Sequence, residues 1–506
     1  MSEQKKFKPI MKILVNWVIC LGIILGSTVG AFDYDDVSIN CTRDKKDNSN
    51  AYNGKRTSNK KPNPLCSVCT CNAQERTFDC SSKKLNKLFN MSGWTTLNDS
   101  GVTIETMILS RNGIPEVPQF PKFNFRVLNL SFNDISVIAR KAFYYLDDME
   151  VLDLSHNMLN LKTLRTEIFE GSYTSDEYLP MKKLRVLLLG NNNLNSLNPN
   201  MFEHLPVLEE LSLKDNMFKI IDQMTEFAIG HIMTLRVLDL SCMELLEIPK
   251  FMFYSLLKLQ YLNLAGNLLT SVPGALDYAI NLKWLSLDEN PIESVQGESV
   301  FPAIKTLEYL SVSYITTLKV IGRGAFSKLE GLKEIHVCYN PGLTHLHEEA
   351  FSRVDAYNQN QTEWPPMKQL YINSNNLSKL DTQLLARWDD MEVIDIRYNP
   401  WSCDCDSQWM VETLLAIVEE TSPRIKNNIV CAAPDQMKGL SMVDLKRKHS
   451  FVHCLDNLPE NDDALLIGWL IGILVGIFLA ATAILIYRRG SFGLVRRGPQ
   501  ALYVRV

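Results

Sequence analysis

Excess positive charge is missing from this chain, and with it the usual mark of a nucleic-acid binder: 52 lysines and arginines face 57 aspartates and glutamates, for a formal net charge of −5. Cysteine is sparse, 12 in 506 residues, far below the density of a small disulfide scaffold. No metalloprotease helix, phosphate-cradling glycine loop or serine elbow is present. Disorder is excluded as well, because 46% of the residues are hydrophobic. What is left is a folded chain without a catalytic, cofactor or metal signature, whose length alone suggests three or four domains.

Two segments belong to no folded domain. Lys5, Lys6, Lys8 and Lys12 precede an apolar run, Ile13 to Leu25, and then small residues up to Ala31. That order is a secretory leader over residues 1–31, or an uncleaved anchor. From Ala464 to Tyr487 there are 24 residues without a charge, long enough to cross a bilayer. Acidic residues precede this span and Arg488, Arg489, Arg496 and Arg497 follow it, so the positive-inside rule puts residues 488–506 in the cytoplasm. The expectation is a single-pass type I protein of the plasma membrane. Without the +3 leader and the +5 tail, the remainder is near −13, which disfavours heparin or nucleic acid as its partner.

Between these segments the sequence repeats about every 24 residues. FRVLNLSFNDI begins at Phe125, MEVLDLSHNML at Met149, LQYLNLAGNLL at Leu259 and LKWLSLDENPI at Leu282. The shared pattern is L-x-x-L-x-L-x-x-N-x-L. Its asparagines are Asn112, Asn133, Asn157, Asn192, Asn216, Asn267, Asn290, Asn340, Asn375 and Asn399, with Met243 and Ile315 in their place in two further repeats. Side chains of a strand alternate, so the two inner leucines face one side and their neighbours the other. The asparagine turns the chain and must bond to neighbouring backbone. Phe143, Phe202, Phe253, Phe326 and Phe351 recur at one later position and predict a convex spine. No repeat buries its apolar face alone, so about twelve must stack. Longer steps at Arg165–Pro180 and Ser352–Pro366 predict loops on one face.

Cysteines flank the array: Cys66, Cys69, Cys71 and Cys80 before it, and Cys403, Cys405, Cys431 and Cys454 after it. In a reducing compartment the first group would read as a zinc site; outside the cell it reads as disulfides, with three connectivities open per group. Repeats and cysteine clusters together resemble the extracellular leucine-rich repeat family, whose caps in Slit proteins and the Nogo receptor have this form. The resemblance covers Leu65 to Cys454. It implies an α/β solenoid: a leucine-rich repeat horseshoe with a parallel concave sheet, disulfide caps and one transmembrane helix. It also implies the pairs Cys66–Cys71, Cys69–Cys80, Cys403–Cys431 and Cys405–Cys454, and apolar cap roles for Trp401 and Trp409. The organisation is then a leader (1–31), a polar arm (32–64), an N-terminal cap (65–101), repeats (102–400), a C-terminal cap (401–455), an acidic stalk (456–463), the span (464–487) and the tail (488–506).

Other cysteines stay outside that scheme. Cys20 leaves with the leader. Cys242 and Cys338 lie four repeats apart, about 19 Å, so they do not pair with each other. Cys338 is expected as an exposed concave thiol. Cys41 reads as a free or glycan-shielded thiol, or as half of an intermolecular bridge. Sequons occur at Asn40, Asn90, Asn98, Asn129, Asn360 and Asn376.

The outward strand positions are the candidate ligand surface. Tyr261, Trp284 and Tyr309 share one position in successive repeats and form a column, which Tyr314, Tyr339, Tyr371 and Tyr398 extend; the matching N-terminal positions are Val127, Val151 and Val186. Aromatic residues dominate binding hot spots. Asp153, Ser155 and His156 contain the residues of a hydrolytic triad, but one strand and its exit cannot arrange them as a relay. In the span, Gly468, Gly472 and Gly476 form a small-residue face suited to a homodimer. The chain ends Tyr503-Val504-Arg505-Val506, where Val504 and Val506 fit a PDZ ligand. The sequence predicts a recognition or adhesion receptor for an extracellular protein. The alternatives are a lateral co-receptor or antagonist and an innate pattern-recognition protein.

Overall fold

A computed structural model describes residues 64–99, 103–169, 173–174, 177–178, 180–354, 362–424, 428–448 and 462–493. The leader, the polar arm with Asn40 and Cys41, Asn360, Cys454, and the tail with Val504 and Val506 lie outside the described residues.

Each repeat supplies a three-residue strand whose middle side chain is fully buried, as Leu128, Leu262 and Ile335 illustrate. Twelve such strands, from Thr106–Ile108 to Val393–Asp395, pair in parallel, and the antiparallel hairpin Thr70–Asn72/Thr77–Asp79 adds two more at the N-terminal edge. The register puts like on like: Leu128 beside Leu152, Leu262 beside Leu285, Ile335 beside Leu370. Each buried leucine contributes about 1.5–3 kcal/mol over an exposed one, most of which ordering entropy offsets, so stability accrues only along the array. On the other side of the core, Phe143, Phe253, Phe326 and Phe351 are completely buried and Phe202 nearly so.

The asparagines knit the turns. Asn133 Nδ2 donates to Leu109 O (3.1 Å) and Leu130 O (2.9 Å), while its Oδ1 accepts from Ile114 N (3.2 Å). Met243 and Ile315 break this ladder, and in each case the preceding repeat loses an acceptor. The affected N–H groups turn to their own asparagine's carbonyl: Phe218 N to Asn216 O at 3.0 Å and Ile292 N to Asn290 O at 2.8 Å. Asn267 Oδ1 in turn accepts from both Met243 N and Leu245 N at 3.1 Å. The sheet passes both places without a register shift.

The two longer steps fold as short antiparallel pairs, Tyr173–Thr174 with Glu177–Tyr178 and Arg353–Val354 with Thr362–Glu363. Arg353 pins the second to Glu363 and Glu330, each at 2.5 Å.

Both ends are closed. At the N-terminus, Cys66–Cys71 and Cys69–Cys80 are disulfides, and Trp94 of the helix Met91–Asp99 packs edge-on against Phe89, Phe120 and Phe123. At the C-terminus, Cys403 is bonded to Cys431, and fully buried Trp401 donates from Nε1 to Ile396 O at 3.0 Å. Half-buried Trp409 donates to Leu380 O at 3.1 Å. Cys405 is also disulfide-bonded, to a partner outside the described residues.

A second compact unit, Phe451–Val506, holds a helix from Asp462 to Gly493. Its stretch Trp469–Arg488, mean hydropathy 2.7, is long and apolar enough to cross a membrane.

Candidate binding face on the concave sheet

Residues one and three of each strand point away from the core, so the concave face carries parallel columns of side chains. Tyr261, Trp284 and Tyr309 are direct cross-strand neighbours. Their rings stack at centroid distances of 3.9 and 5.0 Å, with planes within 10° and 5° of parallel. The track continues by changing column: Tyr309 meets His336 at 5.1 Å, and His336 stacks on Tyr371 at 4.2 Å. His336, whose Nε2 lies 2.6 Å from Glu334 Oε1, escaped the sequence pattern because it stands at the third strand position while the column was sought at the first.

The other tyrosines occupy different ground. Tyr314 and Tyr339 stack on each other at 4.8 Å, and Tyr398, bonded through its hydroxyl to Asn428 Nδ2, lies in the same rim column farther along. The expected single patch is therefore two, a floor track and a rim. Within the track Trp284 Nε1 is buried and has no hydrogen-bond partner among the described residues. An unpaired buried donor costs about 1–3 kcal/mol, so an acceptor on a bound chain would relieve that cost.

Carboxylates accompany the floor. Asp288 accepts from Ser311 Oγ and Ser313 N, both at 2.6 Å, yet burial still pushes its carboxyl above the usual range. Burial, then the neighbouring Asp288 charge, pushes Glu289 up to about 7. Glu210, Asp215 and Asp239 are raised by burial too.

The N-terminal half differs. Val127, Val151 and Val186 fill the first column. Beside them an exposed ladder of alternating charge runs along the sheet: Arg126 binds Glu150 at 2.8 Å and Arg185 binds Glu209 at 2.9 Å. Asp153 Oδ1 accepts from Ser155 N (2.9 Å) and Oγ (2.6 Å), a local turn in place of a relay. His156 is stacked on Phe132 at 3.8 Å, and the Arg111 guanidinium lies over the Phe132 ring at 4.2 Å. Burial, Lys214 and Arg111 together hold the His156 imidazole down to about 4.

Both halves share one backbone device. The residue before each turn position is left-handed: Arg111, Phe132, His156, Asn191, Asp215, Cys242, Glu289, Tyr314, Tyr339, Ser374 and Tyr398 have φ between 53° and 58°, and Gly266 has 68°. Such a φ costs an ordinary residue about 1–2 kcal/mol. It is held because these amides bond onward along the stack, as His156 N to Gly190 O and Cys242 N to Ala265 O, both 2.8 Å.

Cys242 is disulfide-bonded, to a partner outside the described residues. Cys338 corrects an expectation: it is buried, not exposed, because Asn373 of the next repeat reaches it and accepts from its Sγ at 3.0 Å. Asn90, Asn98 and Asn376 are exposed, whereas Asn129 is half-buried on the concave face with its Oδ1 bonded to Ser131 N and Oγ. In the apolar helix, a Cβ added at Gly472 or Gly476 would meet open space; the Gly468 environment lies outside the described side chains.

A model of the family described as "Leucine rich repeat" matches residues 123–172, 176–222 and 233–292. The chain is 27% identical to Tsukushi of Gallus gallus over 54% of this chain and 60% of that protein. It is 25% identical to CD180 antigen of Mus musculus over 68% and 45%, and 29% identical to the leucine-rich repeat transmembrane protein FLRT2 of Mus musculus over 38% and 30%. It thus spans less than two thirds of the length of each of these relatives.

Proposed function

We propose that this chain, a leucine-rich repeat protein closed by disulfides near both ends, is a cell-surface recognition or adhesion receptor that captures an extracellular protein on the C-terminal half of its concave face. The observation that carries this reading is the coplanar stack of Tyr261, Trp284 and Tyr309, with an indole N–H inside it that has no partner among the described residues. Rigid aromatic plates bury much area at little entropic cost, which is what hot spots require. The apolar helix would fix the array to a membrane with the arginine-rich tail inside, and an exposed glycine face leaves room for lateral pairing. A cytoplasmic scaffold bound at Val504 and Val506 would couple the receptor to the cell interior.

The test begins with soluble residues 32–460 screened against a library of displayed ectodomains. Changing Tyr261, Trp284 and Tyr309 together to alanine should lower capture of the partner at least 100-fold while surface expression holds. Changing Val127, Val151 and Val186 to alanine should leave capture within about twofold, in line with energy concentrated in few residues. Equal loss in the two triple variants defeats the assignment of the site to the C-terminal half.

A further inference from the structure

The convex side carries an apolar surface that the repeat does not require. Two places ahead of the buried residue leading into the next strand, the second and third repeats have Asp147 and Lys182, and the eighth and ninth have Lys305 and Glu330. The four repeats between them have Pro206, Met233, Leu257 and Ile280 at that place, all exposed. Phe227, Phe251 and Tyr254 widen the strip. The rings of Phe251 and Tyr254 lie 5.3 and 5.5 Å from that of Tyr278, and Ser255 Oγ donates to Gly230 O at 2.6 Å, so the fifth to seventh repeats present one surface.

Phe227, Met233, Phe251, Tyr254, Leu257 and Ile280 are each 49–66% exposed. At about 200 Å² for each when fully open, they show roughly 700 Å² of mostly apolar surface. That exceeds the largest patch usual on a monomer, about 300–600 Å², and approaches the roughly 800 Å² that each partner buries in a stable pair. No Asn-x-Ser/Thr acceptor occurs between Asn129 and Asn360, so no N-linked glycan falls on these repeats.

We propose that this strip is the interface with a second copy of the chain, related by a twofold axis that runs between the fifth and sixth repeats. The concave track lies on the other side of the core, so this pairing holds whether or not the track binds a ligand. A closed pair needs a surface complementary to itself. The axis sets the fifth repeat of each copy against the sixth of the other, with equivalent places facing.

Charge then matches. Glu226 and Lys250 stand nine places ahead of the buried Leu235 and Leu259, so each carboxylate meets a lysine of the other copy, twice per pair. Neither has an ion-pair partner within 4.0 Å among the described residues. Shape matches too. Five places ahead of the same leucines, the sixth repeat has Tyr254 and the fifth has Gly230. Beside Gly230 is a hollow of about 500 Å³ bounded by Pro206, Phe227, His231 and Met233, with room for a tyrosine ring. Tyr254 of each copy enters the hollow of the other, Phe227 meets Phe251, and Met233 meets Leu257. The like-charged matches, Glu203 with Asp277 and Lys182 with Lys305, fall at and beyond the rim, where solvent screens them.

Full-length chains bearing two different tags, co-expressed and solubilised in detergent, test this by co-precipitation. Glu226→Lys and Lys250→Glu should each lower recovery of the second tag at least about tenfold, because two attractions become repulsions. The double reversal should return recovery to within about twofold of wild type, since the pairs are restored with their signs exchanged. Tyr254→Ala should also lower recovery about tenfold or more. These are surface positions, so Tm should stay within about 2 °C of wild type. Absence of recovery in wild type overturns the pairing, including the case in which a different ectodomain is captured through this strip. Recovery indifferent to the single reversals overturns it as well, and would assign association to the face with Gly472 and Gly476. A double reversal no better than the singles overturns the twofold register.

Discussion

The two halves of the concave sheet have the same skeleton and opposite surfaces. In both, leucines fill the inner strand positions and asparagines bond successive turns. Outward, the N-terminal half shows valines, an alternating ladder of exposed charge and an imidazole held neutral at the rim. The C-terminal half shows stacked aromatics, while carboxyls raised by burial occur in both, as Asp153 and Asp239 in the first and Asp288 and Glu289 in the second. Packing dictates the inner residues at every repeat, while the outward residues answer only to their cross-strand neighbours. A solenoid can therefore specialise one stretch without disturbing the next.

The comparison is broken most severely at the shared skeleton. Asn133→Ala in one half and Asn290→Ala in the other should each destabilise the array by about 3 kcal/mol, because backbone groups buried around them lose their partners. Asn267→Ala should cost more, about 4–5 kcal/mol, since its Oδ1 also serves Met243 N. Denaturant melts of the three variants check this. A cost for Asn267→Ala below the other two would show that the Met243 turn does not depend on it.

A smaller effect separates the halves by pH. Glu289 sits near 7 when folded against an ordinary value of 4.5, so the folded state binds its proton more tightly and this group adds stability as pH falls from about 7 toward 4.5. His156 runs the other way. Its imidazole is held to about 4 against 6.5, so the contribution it makes at neutral pH is lost as pH falls from 6.5 toward 4. Glu289→Gln should raise Tm by about 2 °C at pH 8 and by nothing at pH 4.5, after allowance for solvent screening. His156→Gln should flatten the decline in Tm between pH 6.5 and 4.5. Thermal melts across that range decide both, and a common sign for the two variants would erase the contrast. The smallest effect belongs to the exposed ladder: Glu150→Gln should leave Tm unchanged at 0.15 M salt, because salt and side-chain entropy cancel most of an exposed pair.

Much of this was legible in the residue order. Spacing of leucines placed the strands and their buried side, and ten asparagines marked the turns. The column Tyr261, Trp284 and Tyr309 could be read because those residues share one position in consecutive repeats. His336 could not be read that way, because the track passes between columns there and ring contact depends on side-chain direction as well as register. Tyr314 and Tyr339 were legible as an extension of the aromatic patch, but not as a stacked pair on a rim apart from the floor, since their left-handed backbone turns them out of the strand.

The sequence by itself determined the solenoid, because burying leucines on one face of a short strand at a fixed period admits few other arrangements. Tertiary structure alone decided how the exceptions are accommodated: Phe218 and Ile292 turning to their own asparagines, Cys338 sealed by Asn373, Gly266 yielding space to the Cys242 sulfur. The physical reason is distance. Stacking brings residues more than twenty positions apart to within one strand spacing, and what each side chain meets there is set by its neighbouring repeats, which no single repeat reveals.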